Sequence, residues 1–202
     1  MKKIFSAAVM LVAAVLIGHI DVAKAAMGSA TVPITITVNG AITVTDASND
    51  TVGGKDPTLN VSITVDPDIG ATAASDTATF RVRSNYSSWE LNAQQTVAFD
   101  PDTTAIDEAD VAVDIVKTAG ADANAAACSL TAPFNATADL SDIPTGSTVQ
   151  VCDGTAKTAS AKSNSANADN WLQFETTYTV EQDFFFEPGT ATATVTYVAV
   201  NI

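Results

Sequence analysis

The side chains that most often carry out chemistry are scarce in this sequence. Its single histidine, His19, lies in an apolar run near the N-terminus that reads as a removable export signal. Without His19, a processed chain has no His-based triad, no Cys–His dyad and no His-ligated metal. Carboxylates remain. Glu90, Glu108, Glu175, Glu181 and Glu187 are candidates for acid–base work, but their spacing pairs none of them and surface solvation accounts for each. Cys152-Asp153-Gly154-Thr155 lacks the Asp-Thr/Ser-Gly order of an aspartic protease. No catalytic residue, metal-ligand set or cofactor is therefore expected.

Two further groups of residues invite a chemical reading. Cys128 and Cys152 are the only cysteines. In an exported chain they are expected to bond to each other, since two thiolates without histidine do not complete a zinc shell and the spacing is not C-x-x-C. The stretch from Asp100 to Asp110 gathers carboxylates that could attract calcium, but it lacks the glycine of an EF-hand loop and reads as a solvated acidic loop. Among the aromatics, Trp89 and Trp171 are candidate binding residues if they face outward from a sheet. Phe184, Phe185 and Phe186 stand in a row, so they cannot all point to one side of an extended strand.

The elements that must position these residues are strands. After Val32 the apolar residues recur at every second position: Val32, Ile34, Ile36 and Val38, then Ile42 and Val44 beyond Gly40. Threonines fill the intervening places, as in a half-buried strand. Leu59, Val61, Ile63 and Val65 repeat the pattern before an Asp66-Pro67-Asp68 turn. Similar alternation marks Ala78–Phe80–Val82, Trp89–Leu91–Ala93, Val111–Val113–Ile115 and Leu172–Phe174. From residue 190 Thr alternates with apolar residues until Tyr197-Val198, where the phase changes; a bulge there, or burial of both faces, would account for it. No segment after the leader has a 3.6-residue apolar stripe, and Thr and Val favour extended chain because branching at Cβ restricts χ1 in a helix.

About eight short strands between Gly, Pro, Asn and Asp turns predict an all-β fold. The expected architecture is a single Ig-like or pilin-like antiparallel β-sandwich over residues 26–202. Residues 118–170, rich in Ala, Ser and Asn, read as one long insertion, pinned by Cys128–Cys152 and carrying one or two short strands, one of them at 148–152.

Residues 1–25 read as a signal peptide. Lys2 and Lys3 form a basic start, residues 4–20 an apolar core, and Ala23-Lys24-Ala25 a small-x-small cleavage site. Three of the nine Lys and Arg and one of the 23 Asp and Glu fall within it, so cleavage takes the net charge from −14 to −16. Such acidity repels nucleic acid and anionic lipid. No second apolar run long enough for a membrane helix follows. The expected location is outside the inner membrane: periplasm, cell surface or medium.

Two resemblances follow from these residues. Ser88-Trp89-Glu90-Leu91-Asn92-Ala93, with an alternating strand after Pro188-Gly189-Thr190, resembles the exported WxL-domain proteins, which implies cell-wall binding. The second W-x-L of that family has no counterpart, its place being taken by Thr196-Tyr197-Val198-Ala199. The overall layout is also similar to fimbrial subunits of the chaperone–usher type, including spore-coat-U-like pilins. That likeness implies an incomplete sandwich, completed by the N-terminal segment of the next subunit, with Val32, Ile34, Ile36 and Val38 as donor side chains. The expected function is thus that of a secreted structural or adhesive subunit whose partners are other copies of itself or a related surface subunit. A cell-wall or polysaccharide-binding module is the alternative, and a carboxylate hydrolase ranks behind both.

Overall fold

The computed structural model describes residues 33–68, 70–162 and 168–202. The leader, His19 and Val32 lie outside the described residues. Packing divides the chain into two units, Met1–Val38 and Asn39–Ile202. Of the first unit, residues 33–38 are described, and they carry no strand.

The second unit is the sandwich. Its strands are β1 (Ile42–Asp46), β2 (Ala74–Ser84), β3 (Trp89–Asp100), β4 (Val111–Ala119), β5 (Cys128–Leu130), β6 (Ala138–Asp139), β7 (Val149–Gly154), β8 (Leu172–Val180) and β9 (Thr192–Asn201). They form two sheets, a five-stranded one in the order β1-β2-β8-β4-β6 and a four-stranded one in the order β5-β7-β3-β9. Every paired neighbour is antiparallel. The all-β sandwich expected from the alternating sequence is the fold. No helix among the described residues is long and apolar enough to cross a membrane.

The core forms because each strand turns every second side chain inward. Phe80 and Val82 of β2, Leu172, Phe174 and Val180 of β8, and Val111, Val113 and Ile115 of β4 come from one sheet. Trp89, Leu91 and Ala93 of β3 and Val151 of β7 come from the other. Phe80 stacks on Phe174 within its sheet at 5.6 Å and meets Tyr197 of β9 at 5.2 Å, joining the two layers. Outward positions carry hydroxyls that pair across strands, as in Thr77–Thr177 at 2.8 Å and Thr96–Thr196 at 2.9 Å.

Several local expectations need correction. Residues 118–170 are mostly loop, as expected, but they hold more strand than the one or two short pieces expected. They supply β5, β6 and β7, and β7 sits inside the four-stranded sheet, paired to β3 and β5. Small residues allow this. A Cβ on Gly154 would lie 2.4 Å from the Trp89 indole, so only glycine lets that ring seat against β7. The disulfide joins Cys128 of β5 to Cys152 of β7, with Cα atoms 5.9 Å apart. It therefore ties neighbouring strands at a sheet edge rather than only a loop. Closing a loop of that span stabilises by roughly 3–4 kcal/mol in the chain-entropy description.

Residues 59–65, expected as a strand, are extended and alternate in burial but belong to no ladder among the described residues. At Tyr197-Val198 the β3–β9 register runs on without a break, so no bulge lies there. The irregularities lie nearer Asp100, between Gln95 and Val97 and between Val97 and Asp100. Tyr197 and Ala199 pack against the core, while Val198 is left on the outer face.

Candidate functional site

The two tryptophans have different surroundings. Trp89 is fully buried, and its Nε1 donates to the Ala156 carbonyl at 2.8 Å. It offers no outward face, which corrects its candidacy as a binding aromatic: β3 turns its odd-numbered side chains inward. Trp171 is half-buried just before β8, with the Arg81 guanidinium 3.8 Å over its ring and its Nε1 donating to Asp169 at 3.2 Å.

Arg81 belongs to a polar cluster on the outer face of the five-stranded sheet. Arg81 donates to Asp50 at 3.1 Å, and Arg83 donates to the same carboxylate through both terminal nitrogens. Thr45 adds a hydroxyl bond at 2.7 Å. The Arg83 hydrogen bond, with lesser help from its charge, from Thr45 and from Arg81, holds the Asp50 carboxyl down at about 2 against the opposing effect of burial. Alternation within β2 puts both arginines on one face. Nothing in the sequence around Asp50 marked it as their partner, because it arrives from the loop after β1.

The remaining candidates are brought to separate places. Glu108 accepts from Gln95 at 3.0 Å, Glu175 from Gln173 at 2.8 Å and Glu90 from Asn92 at 3.2 Å. In the acidic loop the carboxylates cap their own backbone: Asp107 accepts from Ala109 and Asp110 from Asp107. Beside it lies an open depression of about 390 Å³ lined by Phe99, Pro101, Ile106 and Glu108, among others. Of the three phenylalanines, Phe186 packs on the core while Phe184 and Phe185 are exposed.

The donor candidates stand out by exposure. Ile34, Ile36 and Val38 are 79%, 81% and 81% exposed. Large aliphatic side chains at every second position are ordinarily sunk into a sheet face. The sandwich, for its part, has open edges. Among the described residues β9 pairs with β3 alone, and across its length it carries neither charge nor proline, the usual guards of an exposed edge. β1 pairs only with residues 80–84 of β2, so, among the described residues, 74–79 have β8 on one side and no strand on the other. β1 and β9 are in contact, which places these open edges along one side of the sandwich. Core-facing residues there are only partly buried: Ile42, Val44, Tyr178, Val195, Tyr197 and Ala199.

Two features of this side were not singled out from the sequence. Asp76 occupies the inward parity of β2, in line with Phe80 and Val82, and a charge at such a position is a legible sign of an unfinished edge. The Tyr178 and Tyr197 hydroxyls meet at 3.0 Å between the sheets, and burial raises both phenols above their ordinary range. That contact joins strands far apart in sequence, so no local pattern announces it.

Compared with protein-family models and with curated proteins, the sequence matches none.

Proposed function

We propose that this protein is an exported structural subunit that assembles with copies of itself by β-strand addition at a cell surface. The observation that carries the proposal is the exposure of Ile34, Ile36 and Val38 on a segment with strand-like alternation. An apolar ladder of this kind is costly in water and gains by entering a sheet edge. The open side of the sandwich supplies such an edge, with unpaired main chain and half-buried apolar residues beneath it. Strand addition draws affinity from main-chain hydrogen bonds and specificity from alternate side chains in pockets. The acidity of the chain suits a soluble exported subunit.

Polysaccharide binding draws less support, because Trp89 is sealed in the core and Arg81 covers one face of Trp171. Native electrophoresis tests assembly directly. The processed chain is expected to run as a ladder of oligomers. Deleting residues 27–38 is expected to collapse the ladder to monomer, with the β-sheet circular dichroism unchanged. A processed chain that stays monomeric at high concentration overturns the proposal.

A further inference from the structure

Residues 57–68 lie on the open side of the sandwich in an unusual state. Lys55 bridges to Thr45, and the Asp56 N–H donates to the Val44 carbonyl at 3.1 Å, so the chain begins along the outer edge of β1. At Asp56 the backbone turns left-handed, with φ 50°, and Pro57 follows without an N–H to continue the ladder. From there the chain is extended. Leu59, Val61, Ile63 and Val65 are half-buried, while Thr58, Asn60, Ser62 and Thr64 are exposed. Leu59, Ile63 and Val65 pack on the core.

Among the described residues, no backbone–backbone hydrogen bond joins residues 57–67 to a strand. Their tie to the sandwich is a bond from the Ser62 N–H to the Asp76 carboxylate, 2.8 Å, on the unpaired half of β2. The segment has a strand's side-chain pattern and lies where a strand is missing, without a strand's main-chain bonds.

The exposed N-terminal segment repeats its sequence. Val32-Pro33-Ile34-Thr35-Ile36-Thr37-Val38 aligns without a gap on Leu59-Asn60-Val61-Ser62-Ile63-Thr64-Val65. Ile-Thr-Val closes both, the apolar positions coincide, and Thr35 stands where Ser62 meets Asp76. Residues 33–38 are also equal in length to the unpaired run 74–79 of β2.

We infer that residues 59–65 are an internal place-holder, which covers the unpaired half of β2 in the free subunit and is displaced by residues 33–38 of a second copy. The inference rests on the strand-addition reading above and adds the acceptor edge and a gate upon it. The place-holder shields the core without satisfying the edge. An incoming strand of like sequence covers the same residues and adds the main-chain ladder, so exchange runs toward assembly. A subunit gated in this way stays soluble until a neighbour's segment arrives.

The test uses the full chain, dilute, with an excess of a synthetic peptide of residues 30–39. Two readouts separate arrival from displacement. Amides of residues 74–79 report arrival, through slower hydrogen exchange. An Ile63→Cys variant reports displacement: its half-buried thiol is expected to react with a maleimide about tenfold faster once peptide is bound. A Ser62→Cys/Asp76→Cys pair, oxidised, locks the place-holder and is expected to slow peptide binding at least tenfold. Mild reduction, which spares the buried Cys128–Cys152 bridge, is expected to restore it. Peptide that binds without speeding the Ile63→Cys reaction, or that binds the locked chain as fast as the reduced one, overturns the inference and leaves strand addition standing. Peptide that binds neither form overturns both.

Discussion

The two flanks of this sandwich are built by different means. Along β3, β7 and the turns before them the structure is closed. Trp89, Leu91, Ile143 and Val151 are fully buried, and polar groups beneath them are satisfied. Gln95 is the clearest case: its Nε2 donates to the carbonyls of Ile143 at 2.8 Å and Leu140 at 3.2 Å, and its Oε1 accepts from the Phe99 N–H at 3.1 Å. Along β1, residues 57–68 and β9 the apolar groups are only half-covered, and the segment that covers them makes no ladder. A finished interior and an unfinished edge in one domain place the stability of the fold on one flank and the capacity for pairing on the other.

The largest test of that division is the contrast between two apolar side chains. Trp89→Ala empties a buried site against Gly154 and is expected to cost about 4 kcal/mol, as large core truncations do. Ile63→Ala on the open flank removes half-covered surface and is expected to cost about 1 kcal/mol or less. Urea titrations of both variants measure the difference. Equal losses would mean that residues 59–65 belong to the core after all. A smaller effect is expected at Gln95. Gln95→Leu keeps the volume but strips buried carbonyl and amide groups of their partner, a loss of about 2 kcal/mol. The same substitution at Gln94, the neighbouring outward position of β3, is expected to change stability by less than about 0.5 kcal/mol.

Much of the core was legible in the sequence, because strict alternation in β2, β3, β4 and β8 shows which side chains face inward. The Cys128–Cys152 bond followed from there being two cysteines in a chain that reads as exported. β7 was glimpsed at residues 148–152, but its full place was not, since β5 and β6 are too short to show a period and the Gly154–Trp89 contact joins residues far apart. The open flank misled for the opposite reason. Leu59, Ile63 and Val65 have a strand's pattern because they rest on a core, yet side-chain alternation carries no information about main-chain partners. Trp89 misled likewise, since a tryptophan's type does not say which face of its strand is covered. Of the Asp50–Arg81–Arg83 cluster, alternation along β2 can show only that the two arginines share a face, not which carboxylate joins them.

That cluster supplies the smallest and most selective effect. It fastens the loop after β1 to the outer face of β2, so the open flank is held partly by charge where the closed flank is held by burial. Asp50 sits at about 2, below the ordinary 3.8. A carboxyl depressed in the folded state contributes stability that is whole above pH 4 and is lost as pH falls toward 2. Allowing for partial exposure, the contribution is about 1 kcal/mol. Asp46 and Asp76, also lowered by hydrogen bonds, act in the same direction. Thermal melts between pH 5 and pH 2 are expected to show an acid limb that is shallower in Asp50→Asn, with the two curves converging near pH 2. Amides of residues 42–46 are expected to lose protection over that interval before those of residues 89–95. If both flanks loosen together, the ionic fastening is not what distinguishes them, and the open side owes its hold to the same packing as the rest.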